Sequence, residues 1–124
     1  MLSHSLEHGV LVITVHQAPD IAGRAEFVGR IEGLVHAHKP APVLIVLEEY
    51  AADGPTTSVV LRVHRTCRDL GILLSVASTS APVRRLLEAH ADTAGTHLVI
   101  HARADTAVTA AARSGELSAS QPPI

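Results

Sequence analysis

The sequence predicts a single α/β domain built on a mixed, mostly parallel sheet of four to five strands with about four helices. Three observations carry this expectation. Short runs of β-branched and aliphatic residues alternate with longer segments whose apolar groups recur on one helical face. Gly and Pro stand at the joins between them. The length, 124 residues with 47% apolar side chains, is that of one domain able to bury a core.

Taken in order, Val10–Val15 (VLVITV) follows a glycine and reads as a strand. Ser3–Glu7 is placed to pair with it across His8-Gly9 as a hairpin. Residues 22–38 carry Phe27, Val28, Ile31, Leu34 and Val35 at the spacing of an amphipathic helix, which Pro40 and Pro42 close. Val43–Leu47 is continuously apolar, the pattern of a strand covered on both faces. Thr56–Leu70 reads as a second helix with Val60, Val63, Cys67 and Leu70 inward and Gly71 as its C-terminal cap. Ile72–Val76 is the next strand. Pro82, after Ser78–Ser80, opens a third helix that turns Val83, Leu86 and Leu87 inward. His97–His101 is a last strand and Asp105–Arg113 an Ala-rich last helix. The domain is expected over residues 1–113. Residues 114–124, polar and ending in two prolines before Ile124, are expected to be a disordered tail. Strands alternating with helices call for parallel pairing through right-handed crossovers.

Composition narrows the function. One Phe, one Tyr and no Trp leave little to stack bases or sugars on. A formal net charge of −2 gives no field that would draw the chain to nucleic acid or an acidic membrane. The single cysteine, Cys67, excludes an intrachain disulfide and, on the apolar side of its helix, reads as structural. No run approaches a membrane span, and the first residues lack the charged start of a signal peptide, so a cytoplasmic protein is expected.

The chemistry-bearing motifs of α/β enzymes are absent from the sequence. No GxGxxG, no GxxxxGK[ST] and no GxSxG occurs. The first long strand ends Val15-His16-Gln17, without the acidic pair of a receiver domain. Among the nine histidines, His36 and His38 point about 200° apart on a helix, and His97 and His101 lie about 13 Å apart along a strand. Neither spacing suits zinc. No metal, no cofactor and no enzymatic activity is therefore expected.

The most informative segment is residues 43–65, VLIVLEEYAADGPTTSVVLRVHR. It runs from a buried strand through an acidic loop into a helix N-terminus, where free backbone N–H groups favour an anion. Thr56 and Thr57 are hydroxyls at that end, and either of them or Asp53 could equally serve as the cap. Arg62, Arg65 and Arg68 recur at three-residue steps along the same helix.

The ordered series resembles STAS domains, the anti-sigma-factor-antagonist family, over roughly residues 5–113. In that family a strand leads into a D-S-S-G loop, a helix of the type LLRAHRRARELG and another strand; VLRVHRTCRDLGILLSV is similar. Upstream, VLVITVHQAPD resembles the first main strand with its G-x-L-D turn, which places Asp20 on the family's Asp. Downstream, SAPVRRLLEAHADTAGTHLVIHARADTAVTAAA resembles the third helix, last strand and closing helix. The resemblance implies helices packed largely on one side of the sheet. It also implies partner switching with an anti-sigma factor that is a serine-protein kinase of the histidine-kinase-like ATPase type. Phosphorylation of the loop serine dissolves such a complex, because it puts up to two negative charges into a packed interface.

The loop itself departs from the family. D-S-S-G falls on Asp53-Gly54-Pro55-Thr56, so Asp53 is kept and both serines are replaced. Three readings follow from the resemblance. One is a partner-binding protein without serine control, touching its partner through Asp20, Asp53, Gly54, Pro55, Thr56, Thr57, Arg62 and Arg65. The second has Thr56 or Thr57 as phosphoacceptor. The third binds a small ligand or nucleotide at the helix N-terminus.

Overall fold

The computed structural model describes residues 2–17, 20, 22–48, 54–93 and 98–120, with the backbone alone at 54, 55, 92, 93 and 114–120. The described residues form five strands and four helices: β1 (Leu2–Glu7), β2 (Val10–Val15), α1 (Arg24–His38), β3 (Val43–Leu47), α2 (Gly54–Asp69), β4 (Leu74–Ser78), α3 (Ala81–Thr93), β5 (Val99–His101) and α4 (Ala104–Ser120). The α/β class with a mixed, mostly parallel sheet is as the sequence predicts.

The strands lie in chain order, β1-β2-β3-β4-β5. β1 runs antiparallel to β2, and every other pair is parallel. The β1–β2 hairpin closes through His8 (φ 53) and Gly9 (φ 80). Two successive positive φ values are the signature of a two-residue type I′ turn, whose twist matches that of paired strands.

Strands laid down in one direction by right-handed crossovers put their helices on one face. α1, α2 and α3 accordingly share a face, where Leu11, Ile13, Val15, Val43, Ile45, Leu47, Leu74 and Val76 pack against Phe27, Ile31, Val35, Val59, Val63 and Leu87. α4 covers the other face, with Ala107, Val108 and Ala111 against Val10, Val12, Leu44 and Ala77. Both faces of the central strands are thus buried, which is why β2 and β3 are nearly unbroken aliphatic runs.

Several boundaries differ from the sequence reading; β4 also runs to Ser78 rather than Val76, and β5 begins at Val99. β4 begins at Leu74, not Ile72, because Ile72 belongs to the end of α2. Gly71 sits at φ 71, the Ile72 N–H bonds the Cys67 carbonyl at 2.8 Å, and the Gly71 N–H bonds the Arg68 carbonyl at 3.1 Å. That pair of bonds is a Schellman motif. Leu70 falls in this turn and is 37% exposed rather than inward. The backbone of α4 continues to Ser120, past the predicted end at Arg113. Residues 114–120, SGELSAS, hold a glycine and three serines, yet their backbone continues the helix begun by the Ala-rich stretch before them. Of the expected disordered tail, residues 121–124 lie outside the described residues.

Candidate functional site at the ends of the parallel strands

In an open parallel sheet, ligands gather beyond the carboxyl ends of the strands. That edge holds the turn into α1, Glu48 just past β3, the start of α2 and the ends of β4 and β5. Between Glu48 and α2, residues 49–53 lie outside the described residues, and the expectation for Asp53 lies there too. α2 opens at Gly54 with Pro55 in its first turn, as the fixed φ of proline favours.

Thr56 and Thr57 are each 1% exposed. Both side chains are turned into the fold, and neither residue is without an interaction partner. Ser58, in the same turn, is exposed. Sequence reasoning chose the threonines for their closeness to the loop; helical rotation of about 100° per residue decides instead which hydroxyl faces out.

Asp20 is exposed at the entry to α1, where its Oδ1 accepts the Gly23 N–H at 2.6 Å. Here a side chain takes up one of the N–H groups a helix start leaves free. A Cβ on Gly23 would stand 2.9 Å from that oxygen, so the absence of a side chain is part of the arrangement.

Arg62 and Arg65 are exposed on α2. Arg62 faces α1, where it lines with Arg24, Ala25, Val28, Ser58 and Val59 a groove of about 340 Å³. The Arg24 Nε is buried without a hydrogen-bond partner. The structure thus brings Arg62 together with Arg24 and Ser58, neither of which stood out in the sequence. The i, i+4 spacing of Ser58 and Arg62 was the available signal. Nothing in the described residues brings Asp20 into this groove.

A second cluster went unread in the sequence. His16, just past β2, places Nδ1 3.0 Å from Glu48 Oε1, just past β3. Its Nε2 lies 2.8 Å from the Ser3 hydroxyl on β1. A carboxylate only accepts, so in neutral imidazole Nδ1 carries the proton to Glu48 and Nε2 accepts from Ser3. Glu48 also borders a crevice of about 220 Å³ with Ser78, Thr79, Ala102 and Ala104. Ser78 is buried there: its carbonyl accepts Arg84 Nη1 at 2.8 Å and its hydroxyl accepts the Ser80 N–H at 3.2 Å.

Cys67 is fully buried, and burial, with the nearby Glu32 charge adding to it, pushes its thiol from 9.0 up to about 11. It is a core atom, not a nucleophile. Among the described residues no three His, Cys, Asp or Glu side chains are grouped to hold a metal ion. No described helix is long and apolar enough to cross a membrane.

Comparison with known proteins returns no matching family model, no matching curated protein and no matching solved structure.

Proposed function

We propose that this chain is a STAS-type binding module that engages an anti-sigma factor of the histidine-kinase-like ATPase type through the start of α2, without phosphorylation of Thr56 or Thr57. The observation that carries this reading is the division of the first turns of α2. Thr56 and Thr57 are buried, while Arg62 and Arg65 are exposed and Arg62 joins Arg24 at a groove. A kinase cannot reach a buried hydroxyl without opening the helix. Two guanidiniums beside an apolar strip suit a partner surface carrying carboxylates. The sheet with three helices on one face and a fourth behind it is compatible with the family's architecture.

A second reading is favoured by one observation. Ser58 is the exposed hydroxyl of this turn and lines the groove with Arg24 and Arg62. Phosphate there would meet two guanidiniums and block the same surface.

The test is to mix the protein with a candidate anti-sigma factor of the histidine-kinase-like ATPase type and ATP, then measure complex formation by titration calorimetry and phosphate by intact mass. The first reading expects a stable complex, no mass gain, and at least about tenfold weaker binding in Arg62→Glu, as for a charge-reversed interface contact. The second expects one phosphate, lost in Ser58→Ala. Absence of both binding and phosphate rejects partner switching for this chain.

A further inference from the structure

Ser3, His16 and Glu48 come from three consecutive strands and meet by register. Ser3 pairs with Thr14, and Thr14 with Val46. Side chains alternate along a strand, so two residues beyond Thr14 and Val46 the same sheet face carries His16 and Glu48. The Glu48 N–H bonds the Val15 carbonyl at 3.1 Å, which continues the β2–β3 pairing past the strand ends and fixes this alignment. Hydroxyl, imidazole and carboxylate then stand in one hydrogen-bonded row, at 2.8 and 3.0 Å. That is the order and spacing in which a base activates a nucleophile and an acid orients the base. Ser3 is exposed, and His16 and Glu48 are about half open, at 40% and 47% of the side chain. A small electrophile in solvent can therefore reach the hydroxyl.

We propose that Ser3 is an activated nucleophile that accepts acyl groups from activated esters, with His16 as its general base and Glu48 as the positioning residue for His16. Ser3 Oγ attacks the ester carbonyl carbon, and its proton passes to His16 Nε2. The bond to the leaving aryloxide breaks, the aryloxide takes the proton from His16 Nε2 and departs as the phenol, and acyl-Ser3 remains beside a neutral imidazole. Water then attacks the acyl carbon, with His16 taking its proton and returning one to Ser3 Oγ as the acyl–oxygen bond breaks. The sum is ester plus water giving carboxylic acid plus phenol. The row supplies base assistance to the hydroxyl, so the expected gain is that of general-base catalysis, at its lower end about 10²-fold.

Ser5 is the internal control. It lies on the same exposed face of β1, two residues along and paired with Val12 rather than beside His16.

The experiment uses 4-nitrophenyl acetate with the full chain, following nitrophenolate release and mapping the acetyl group by peptide mass after acid quench. The expected result is acetyl on Ser3 and not Ser5, a rate about 10²-fold lower in Ser3→Ala and His16→Ala, and no change in Ser5→Ala. Glu48→Gln is expected to lower kcat about tenfold with KM unchanged, and Glu48→Asp to recover part of that loss. All four positions are solvent-facing, so circular dichroism is expected to report an intact fold. An unchanged rate in Ser3→Ala, or acetyl found on His16 or Lys39 with Ser3 unmodified, overturns the proposal.

Discussion

The Thr66 hydroxyl on α2 donates to Glu32 Oε1 on α1 across 3.3 Å, and one residue further along α2 the thiol of Cys67 points into the core beneath it. The carboxylate is thus held where helix meets helix, near enough for its charge to disfavour a second anion at Cys67. Burial disfavours that anion more strongly still.

Cys67 is expected to resist thiol reagents while the protein is folded. With the thiol raised to about 11 and no exposed surface, native labelling by a disulfide reagent at pH 8 should be at least about 10²-fold slower than in urea, each pKa unit counting tenfold in thiolate. The linkage has a definite sign. The folded thiol keeps its proton to higher pH than the unfolded one, so its contribution to stability is complete below pH 9 and is lost as pH rises through about 11. The stability margin of the native protein over Cys67→Ala, read from urea melts, should narrow across that interval.

Two kinds of glycine should respond oppositely to alanine. A Cβ at Gly29 or Gly33 of α1 meets nothing within 4 Å. Gly29→Ala and Gly33→Ala should each stabilise by about 0.5–1 kcal/mol through helix propensity. Gly71, at φ 71 in the α2 cap, should lose about 1 kcal/mol or more as alanine, although its Cβ would also find open space. Thermal melts of the three variants separate backbone strain from crowding.

Leu87 of α3 is fully buried in the three-helix face of the core, whereas Leu73 is exposed just before β4. Leu87→Ala should cost about 2–5 kcal/mol. Leu73→Ala should stay within about 0.5 kcal/mol, the range of ordinary surface changes. Equilibrium urea unfolding measures both.

On the opposite face, α4 touches the sheet through small side chains. Ala107, fully buried against Val10, Val12, Leu44 and Ala77, leaves no room or partner for a charge. Ala107→Asp should destabilise by several kcal/mol, at least about 3, as an unpaired buried carboxylate does. Exposed Thr109→Asp is the matched control, read by the change in melting temperature.

What was legible in the sequence follows from how local each signal is. β2 and β3 declare themselves because burial on both faces demands aliphatic residues at every position. Phe27, Val28, Ile31 and Val35 give α1 away by spacing alone. The start of β4 is blurred because Ile72 is apolar for another reason, its place in the α2 cap. The candidate sites were less legible. Which of Thr56, Thr57 and Ser58 faces out depends on the rotation of α2 against the sheet. The row Ser3–His16–Glu48 depends on two strand registers at once, and no single stretch of sequence contains it. Asp53 lies in the segment that the described residues do not include.

The order of strands in the sheet matches their order in the chain. Each new strand emerging from the ribosome therefore finds its pairing partner already made, directly beside it. No strand must wait for a later one to be inserted between itself and its predecessor. The sheet can grow at one edge as synthesis proceeds, with α1, α2 and α3 closing over it one by one. Only the second face stays bare until the end, and the aliphatic surface of Val10, Val12 and Leu44 is covered once α4, the last helix, is complete. Chains that stall before α4 would carry that surface uncovered, a contiguous apolar patch of the kind that drives self-association.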